Sequence, residues 1–233
     1  MGKVTAIIPA AGQGKRMGSR INKQYLCLSG LPILLYTLRV FEEVAAIDEI
    51  IVVAAPGEEE FCRVNVINSY GLKKVSKIIA GGLERQQSVY NGLRAVDSDT
   101  EVVLIHDGAR PLVDEGIIHR VLDGARRYGA VSCGVPVKDT IKMVDGDGFV
   151  SSTPDRSLLW SIQTPQGFRL ELLMEAHNQA LKEGLLGTDD AMLVERMGQP
   201  VKVVLGSYDN IKVTTPEDLA AAEAIIARRR AEG

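Results

Sequence analysis

The strongest constraint on how this chain folds is a run of short apolar segments, each followed by a stretch with helical spacing. Val4 to Ile8, Glu49 to Ala55, Val75 to Ala80, Val102 to His106 and Ala130 to Val135 have the length and β-branched composition of buried strands. Between them lie Ile33 to Phe41, with Leu34, Leu38 and Phe41 on one helical face, and the helix-patterned stretches 58–69, 84–95 and 114–127. Strictly alternating elements predict a parallel sheet with helices on both faces, because parallel neighbours need a crossover that a helix supplies. The expected fold is α/β, a Rossmann-like, mostly parallel sheet. Ligands bind such sheets beyond the carboxyl ends of the strands, where the loops 10–23, 81–88 and 107–111 fall.

The rhythm breaks near residue 138. Lys138 to Val144 alternates with period two, meets the turn signal Asp145-Gly-Asp-Gly148, and resumes at Phe149. This predicts a β-hairpin arm inserted at about 137–156, read as projecting and packing on another subunit, with a hairpin folded flat against its own domain as the alternative. A strand over Leu158 to Thr164, helices over 169–183 and 189–197 and a strand over Val201 to Leu205 complete the pattern. A last helix is capped by Thr215, with Pro216 at its first position and Asp218 in its first turn. Arg228-Arg229-Arg230 at its end reads as a solvated terminus that suits the helix dipole. The expectation is a single domain, 1–233, carrying the arm.

At the end of the first strand, Pro9, Ala10, Ala11, Gly12 and Gly14 leave the backbone open to close approach, and Lys15, Arg16 and Lys23 follow. Exposed N–H groups beside cations make a site for phosphate oxygens, here a triphosphate. The spacing of Gly12-Gln-Gly-Lys-Arg matches neither a Walker loop nor the Gly-x-Gly-x-x-Gly dinucleotide fingerprint. The net charge of −3 argues against a nucleic-acid or anionic-membrane partner, so positive charge is gathered locally. No apolar stretch reaches spanning length, and the first thirty residues lack a signal-peptide layout, so a cytoplasmic protein is expected. Cys27, Cys62 and Cys133 show no paired-ligand spacing and read as reduced, mostly buried thiols.

Two further loops carry chemistry. Gly81-Gly82 lets a backbone approach a flat base, and Ser88 can hydrogen-bond a ring edge; the plainer alternative is a strand-to-helix turn in which Glu84 and Arg85 are surface groups. In His106-Asp107-Gly-Ala-Arg110-Pro, Asp107 can accept from ribose hydroxyls or help hold a cation, and Arg110 can grip phosphate in a bidentate fork. An Asp107–Arg110 turn pair is the plainer reading. His106 reads as a sheet-end histidine without an acid–base role. Thr140, Arg156, Thr164 and Lys212 are further candidates whose convergence periodicity cannot establish.

Pro9-Ala-Ala-Gly-x-Gly-Lys-Arg-Met, Lys23-Gln-Tyr, Gly81-Gly-x-Glu-Arg-x-x-Ser-Val, His106-Asp-x-Ala-Arg-Pro, Val137-Lys-Asp-Thr, Thr164-Pro-Gln and Asp209-Asn-Ile-Lys-Val stand in order along nearly the whole chain. Together they resemble the 2-C-methyl-D-erythritol 4-phosphate cytidylyltransferase family. The resemblance implies transfer of CMP from CTP to methylerythritol phosphate, with release of pyrophosphate, in the non-mevalonate isoprenoid pathway. By motif, Arg16 and Lys23 would stabilise the transition state. Ala10, Ala11, Gly12, Gly14, Gly81, Gly82, Ser88 and Asp107 would surround the nucleotide, and any base contact at Leu83 would be through its backbone. Arg156 and Lys212 would position the sugar phosphate, with Arg110, Thr140 and Thr164 nearby. The family is a homodimer with crossed arms, so Thr140 and Arg156 would serve the neighbouring site. Mg²⁺, its protein ligands unspecified, would be held mainly by the triphosphate. A cytidylyltransferase for ribitol 5-phosphate or another polyol phosphate shares the nucleotide loops. A catalytically silent nucleotide-binding regulatory module is the alternative of another class.

Overall fold

The computed structural model describes residues 2–12 and 22–232. Strands β1 (Lys3–Ala10), β4 (Glu49–Ala54), β5 (Val75–Ala80), β6 (Thr100–Ile105), β7 (Ala130–Pro136), β10 (Trp160–Arg169) and β11 (Lys202–Leu205) form one sheet in the order β11-β7-β10-β6-β1-β4-β5. Pairing is parallel except at β10, which runs antiparallel to both β6 and β7. The short strands β2 (Cys27–Leu28) and β3 (Leu31–Pro32) pair separately.

Helices cover both faces, as the alternation predicts. Val4, Ala6 and Ile8 of β1 pack with α1 (Ile33–Glu43), with α2 (Glu59–Cys62) and the π-helical turn Arg63–Asn68 that continues it, and with α4 (Glu115–Tyr128). Ile7, one residue out of phase, packs on the other face with α3 (Arg85–Ala95), α5 (Leu170–Glu183) and α6 (Asp190–Arg196). This is the two-residue period of a strand buried on both sides. Local signals explain where elements stop. The Asp114 carboxylate accepts from the Ile117 N–H at 2.8 Å and caps α4, which ends at Gly129 with φ +86°, a conformation that needs glycine. Thr215 Oγ accepts from the Asp218 N–H at the start of α7 (Pro216–Glu232), while Asp218 accepts in return from the Thr214 and Thr215 N–H groups.

The hairpin is present. β8 (Met143–Val144) pairs with β9 (Val150–Ser152), and Asp145 Oδ1 accepts from the Asp147 and Phe149 N–H groups across the turn. Every residue from 138 to 153 is exposed, including Met143, Val144, Phe149 and Val150.

Three expectations need correction. The strand expected over Leu158 to Thr164 begins at Trp160 and continues through Pro165 to Arg169. Its register against β7 shifts between Gln163 and Gln166, which accommodates a proline that has no N–H to give the ladder. Cys27 is exposed on the short strand β2, whereas Cys62 and Cys133 are buried thiols. The terminal arginines are not merely solvated: Arg228 pairs with Asp209 at 2.5 Å, and Arg229 donates to the Leu112 carbonyl, which ties α7 to the body.

Candidate active site

The carboxyl ends of β1, β5 and β6 converge on a cleft lined by Pro9, Ala10, Ala11 and Gly12, by residues 82–85 and Ser88, and by Asp107, Ala109 and Lys212. Gly81 makes the convergence possible. A Cβ there would sit 2.5 Å from the Ala11 Cβ and 2.8 Å from Ser88 Oγ, closer than atoms tolerate. Ser88 is buried; its hydroxyl accepts from the Gly82 N–H at 3.1 Å and donates to the Glu84 carbonyl at 3.2 Å, so it shapes this loop as well as facing the cleft. The Leu83 side chain is 95% exposed and its N–H donates to Gln87 Oε1, which leaves its carbonyl as the backbone group for a ligand. Gln24 is buried at the base of the first loop and donates through Nε2 to the Ala10 carbonyl, clasping the segment that follows β1. Gly14 and Arg16 lie outside the described residues; Lys23 sits in the 3-10 turn Lys23–Tyr25, and its side chain lies outside them too.

Asp107 forms the floor. Its Oδ1 is 3.0 Å from Arg85 Nε and its Oδ2 is 2.7 Å from Lys212 Nζ, with Arg110 Nε at 3.9 Å. Burial alone would push the carboxyl up, but Arg85, Lys212 and Arg110 outweigh it and hold Asp107 ionised well below the usual carboxylate range. Lys212 reaches it from a distant stretch because the loop before it is stitched down. Gln163 binds the Ser207 backbone at both amide atoms, Asn210 Nδ2 donates to the Thr164 carbonyl at 2.9 Å, and the Val213 N–H donates to the Ala109 carbonyl at 2.8 Å.

Behind Asp107, a hydrogen-bond chain fixes its backbone. The Asp107 N–H donates to Thr164 Oγ1 at 3.0 Å, and Thr164 Oγ1 lies 3.1 Å from His106 Nδ1. His106 Nε2 faces the Arg110 carbonyl at 3.2 Å. A carbonyl only accepts, so Nε2 carries the ring proton, Nδ1 is bare, and the Thr164 hydrogen is committed to it. His106 is fully buried, which pushes its pKa down to about 4 and keeps it neutral.

A second cavity of about 190 Å³ adjoins the cleft and shares Arg85, Asp107 and Lys212 with it, adding Arg110, Thr164 and Thr188. Ala10, Ala11, Gly12, Gly82, Ser88, Asp107 and Lys212 therefore meet at one cleft with Gly81 behind them, and Arg110 and Thr164 at its neighbour. Thr140 and Arg156 do not join them within the chain. Both are exposed, and Arg156 donates to the Lys138 carbonyl at 2.6 Å.

The family model described as IspD, 2-C-methyl-D-erythritol 4-phosphate cytidylyltransferase, matches residues 4–228. The chain belongs to this family. A relative of that name from Pelotomaculum thermopropionicum is 52% identical over 230 residues, covering 99% of this chain and 97% of the relative. Another, from Caldanaerobacter subterraneus, is 55% identical over 220 residues, covering 94% and 97%. The crystal structure of 4-diphosphocytidyl-2C-methyl-D-erythritol synthase from Anaerococcus prevotii superposes with a TM-score of 0.87 at 34% identity, covering 97% of this chain and 96% of that one.

Sequence reasoning underrated one side chain in the family's own motif. Nothing local gives Arg85 a role of its own in the Gly81-Gly-x-Glu-Arg stretch, yet it reaches under the cleft to Asp107 and to Asp190 Oδ2, 2.7 Å away. Asp190 and its partner His177, 3.1 Å apart and both buried, went unnoticed because they lie far away in sequence. The one available signal was that Asp189-Asp190 opens a helix whose hydrophobic pattern should carry them inward. For a divalent cation, no three His, Cys, Asp or Glu side chains converge among the described residues. The cleft offers the Asp107 and Glu84 carboxylates, a set that fits an ion bringing most of its oxygen ligands with it on a polyphosphate.

Proposed function

We propose that this chain transfers CMP from CTP to 2-C-methyl-D-erythritol 4-phosphate, giving CDP-methylerythritol and pyrophosphate for isoprenoid precursor synthesis. The observation that carries the reading is the meeting of the small-residue loops 10–12 and 81–82 with Asp107 and Lys212 in one cleft, inside a chain of this family. Loops of alanine and glycine suit a nucleotide lying close against backbone, and Asp107, ionised, suits ribose hydroxyls.

An oxygen of the acceptor phosphate attacks the α-phosphorus of CTP; the new P–O bond forms as the bond to the β-phosphate oxygen breaks and its electron pair leaves with pyrophosphate. A phosphate monoester is largely dianionic near neutral pH, so the acceptor needs no strong base and the protein supplies no nucleophile. The barrier is charge: a dianion must approach a polyanion, and fixed cations with N–H donors offset that repulsion. Arg16 and Lys23 serve the α-phosphate, and Gly14 serves the nucleotide. Lys212 and Arg110 serve the acceptor phosphate, with Thr164 beside them. Mg²⁺ would be held mainly by the triphosphate, with Asp107 as the cleft carboxylate available to it, and would neutralise part of the triphosphate charge.

The arm belongs to a homodimer in this reading. Met143, Val144, Phe149 and Val150, 56–73% exposed on a two-stranded hairpin, form an apolar surface of the kind that pairs with another chain. A second copy covers it, and the arm delivers Thr140 and Arg156 to that copy's acceptor phosphate. The protein is cytoplasmic and works without nucleic acid or membrane; among the described residues no helix is long and apolar enough to cross one.

Pyrophosphate release with CTP and either methylerythritol phosphate or ribitol 5-phosphate tests the activity. Turnover is expected with the first. Preference for ribitol phosphate would reassign the acceptor, and silence with every acceptor would leave a nucleotide-binding regulator. Phe149→Asp with Val150→Asp is expected to yield a monomer by sedimentation; an unchanged dimer would remove the arm from the interface.

A further inference from the structure

Among the described residues of the cleft, Arg85 is the cation held from below by a second carboxylate. Its Nε donates to Asp107 Oδ1 at 3.0 Å and its Nη1 to Asp190 Oδ2 at 2.7 Å. Asp190 is buried, and its other oxygen, Oδ1, meets the ring of buried His177 at 3.1 Å. Gln166 holds the backbone there: its Oε1 accepts from the Asp190 and Ala191 N–H groups, and its Nε2 donates to Asp189 at 2.6 Å. The His177 ring in turn stacks on Tyr90, whose hydroxyl donates to Asn178 at 2.8 Å. So one guanidinium joins the cleft carboxylate to an anchored acid at the start of α6.

The two oxygens of Asp107 consequently have different environments. Oδ2 faces Lys212, whose side chain is 37% exposed and has no second carboxylate holding it among the described ion pairs. Oδ1 faces Arg85, which the second carboxylate keeps from leaving. A buried acid with one partner removed is left uncompensated, so this pair resists separation. We infer that Arg85 is a positioning residue: pinned by Asp190, it fixes the rotation of the Asp107 carboxylate so that this group accepts hydrogen bonds from the ribose hydroxyls of the nucleotide. The inference rests on the nucleotide reading of the cleft. A lysine in its place could reach one of the two carboxylates but not bridge both, since it lacks the planar fork.

The test compares CTP with 2′,3′-dideoxy-CTP as kcat/KM in the full-length protein, with thermal melts and circular dichroism to establish folding. A hydrogen bond to a charged group is worth about 10–100-fold, so the unaltered protein should prefer CTP by on the order of 10²-fold. In Arg85→Gln and Asp190→Asn that preference should fall below about tenfold, mainly through KM for CTP, with a distinctly smaller loss for dideoxy-CTP. A merely structural role would slow both nucleotides equally and leave the ratio intact. That result in folded variants would overturn the inference, as would full restoration of the ratio by Arg85→Lys. Should Arg85→Gln fail to fold, Asp190→Asn, which keeps the shape while removing the anchoring charge and one of the two acceptor oxygens, carries the same readout. No preference in the unaltered protein would instead strike the ribose reading of Asp107 and the inference with it; no CTP turnover at all would strike the proposed function first.

Discussion

Replacing Thr164 with valine isolates what holds the floor of the cleft. The hydroxyl accepts from the Asp107 N–H at 3.0 Å and lies 3.1 Å from the bare Nδ1 of His106, in a site where Thr164, His106 and Asp107 are all buried. Valine keeps the shape and removes both partners at once. Each buried group left unpaired costs about 1–3 kcal/mol, so Thr164→Val should lose about 2–4 kcal/mol after partial relaxation. In urea that moves the unfolding midpoint down by roughly 1 M or more. Thr164→Ser retains the oxygen and loses one methyl, so it should stay within about 1.5 kcal/mol of the unaltered protein. The comparison also bears on how Thr164 meets substrate. With its hydrogen committed to His106, the hydroxyl has only a lone pair to spare, and a phosphate oxygen needs a donor. Equilibrium urea unfolding followed by tryptophan fluorescence, through Trp160, measures the difference. A Thr164→Val midpoint indistinguishable from that of the unaltered protein would refute the hydrogen-bond chain as described.

Gly81→Ala should cost about 1–3 kcal/mol by crowding Ala11 and Ser88 and raise KM for CTP at least about tenfold; unchanged binding would show that the loops need not touch. Burial holds the His106 imidazole down at about 4, below its usual value near 6.5, so its contribution is complete above about pH 6.5 and lost as pH falls toward 4. That amounts to about 3 kcal/mol across this window, and a ring proton resonance that titrates near pH 6.5 would contradict it. At the opposite end of the sheet, hydrogen bonds from Lys3 and Lys77 lower the Asp97 carboxyl to about 2. Its stabilisation is therefore present above about pH 4 and lost as pH falls through 2. Asp97→Asn should flatten that acid limb of the stability curve, and an identical limb in both proteins would count against it.

How much of this was legible beforehand depends on the range of the interactions involved. Alternation of apolar residues is local, so β1, β4, β5, β6 and β7 and the helices between them read directly from periods of two and 3.6. The start of α7 at Thr215-Pro216 reads from capping chemistry for the same reason. The extension of β10 past Pro165 did not, because a proline argues locally against a strand and only the neighbours β6 and β7 can override that. The triple arginine misled in a similar way. Asp209 and the Leu112 carbonyl, which receive Arg228 and Arg229, come from elsewhere in the chain.

The site divides along the same line, and the division says something about how it works. Residues that act by being small, from Ala10 to Gly12 and at Gly81 and Gly82, announce themselves in the sequence because absence of a side chain is itself the signal. Residues that act by charge do not, since Arg85 on a helix and Lys212 in a loop look like any solvated cation until the topology sets both against Asp107. Their value comes from that enclosure. In water an exposed ion pair contributes about 1 kcal/mol or less, whereas here burial of Asp107 makes each cation count enough to keep the acid ionised far below its usual range. A cleft with one buried carboxylate under several cations holds positive charge in place without closing on itself. An arriving phosphate can then draw Lys212 away while Arg85, tied to Asp190, stays to balance the acid. The fold therefore supplies two kinds of cation at one carboxylate: a tethered one that fixes geometry and a partly exposed one free to follow substrate.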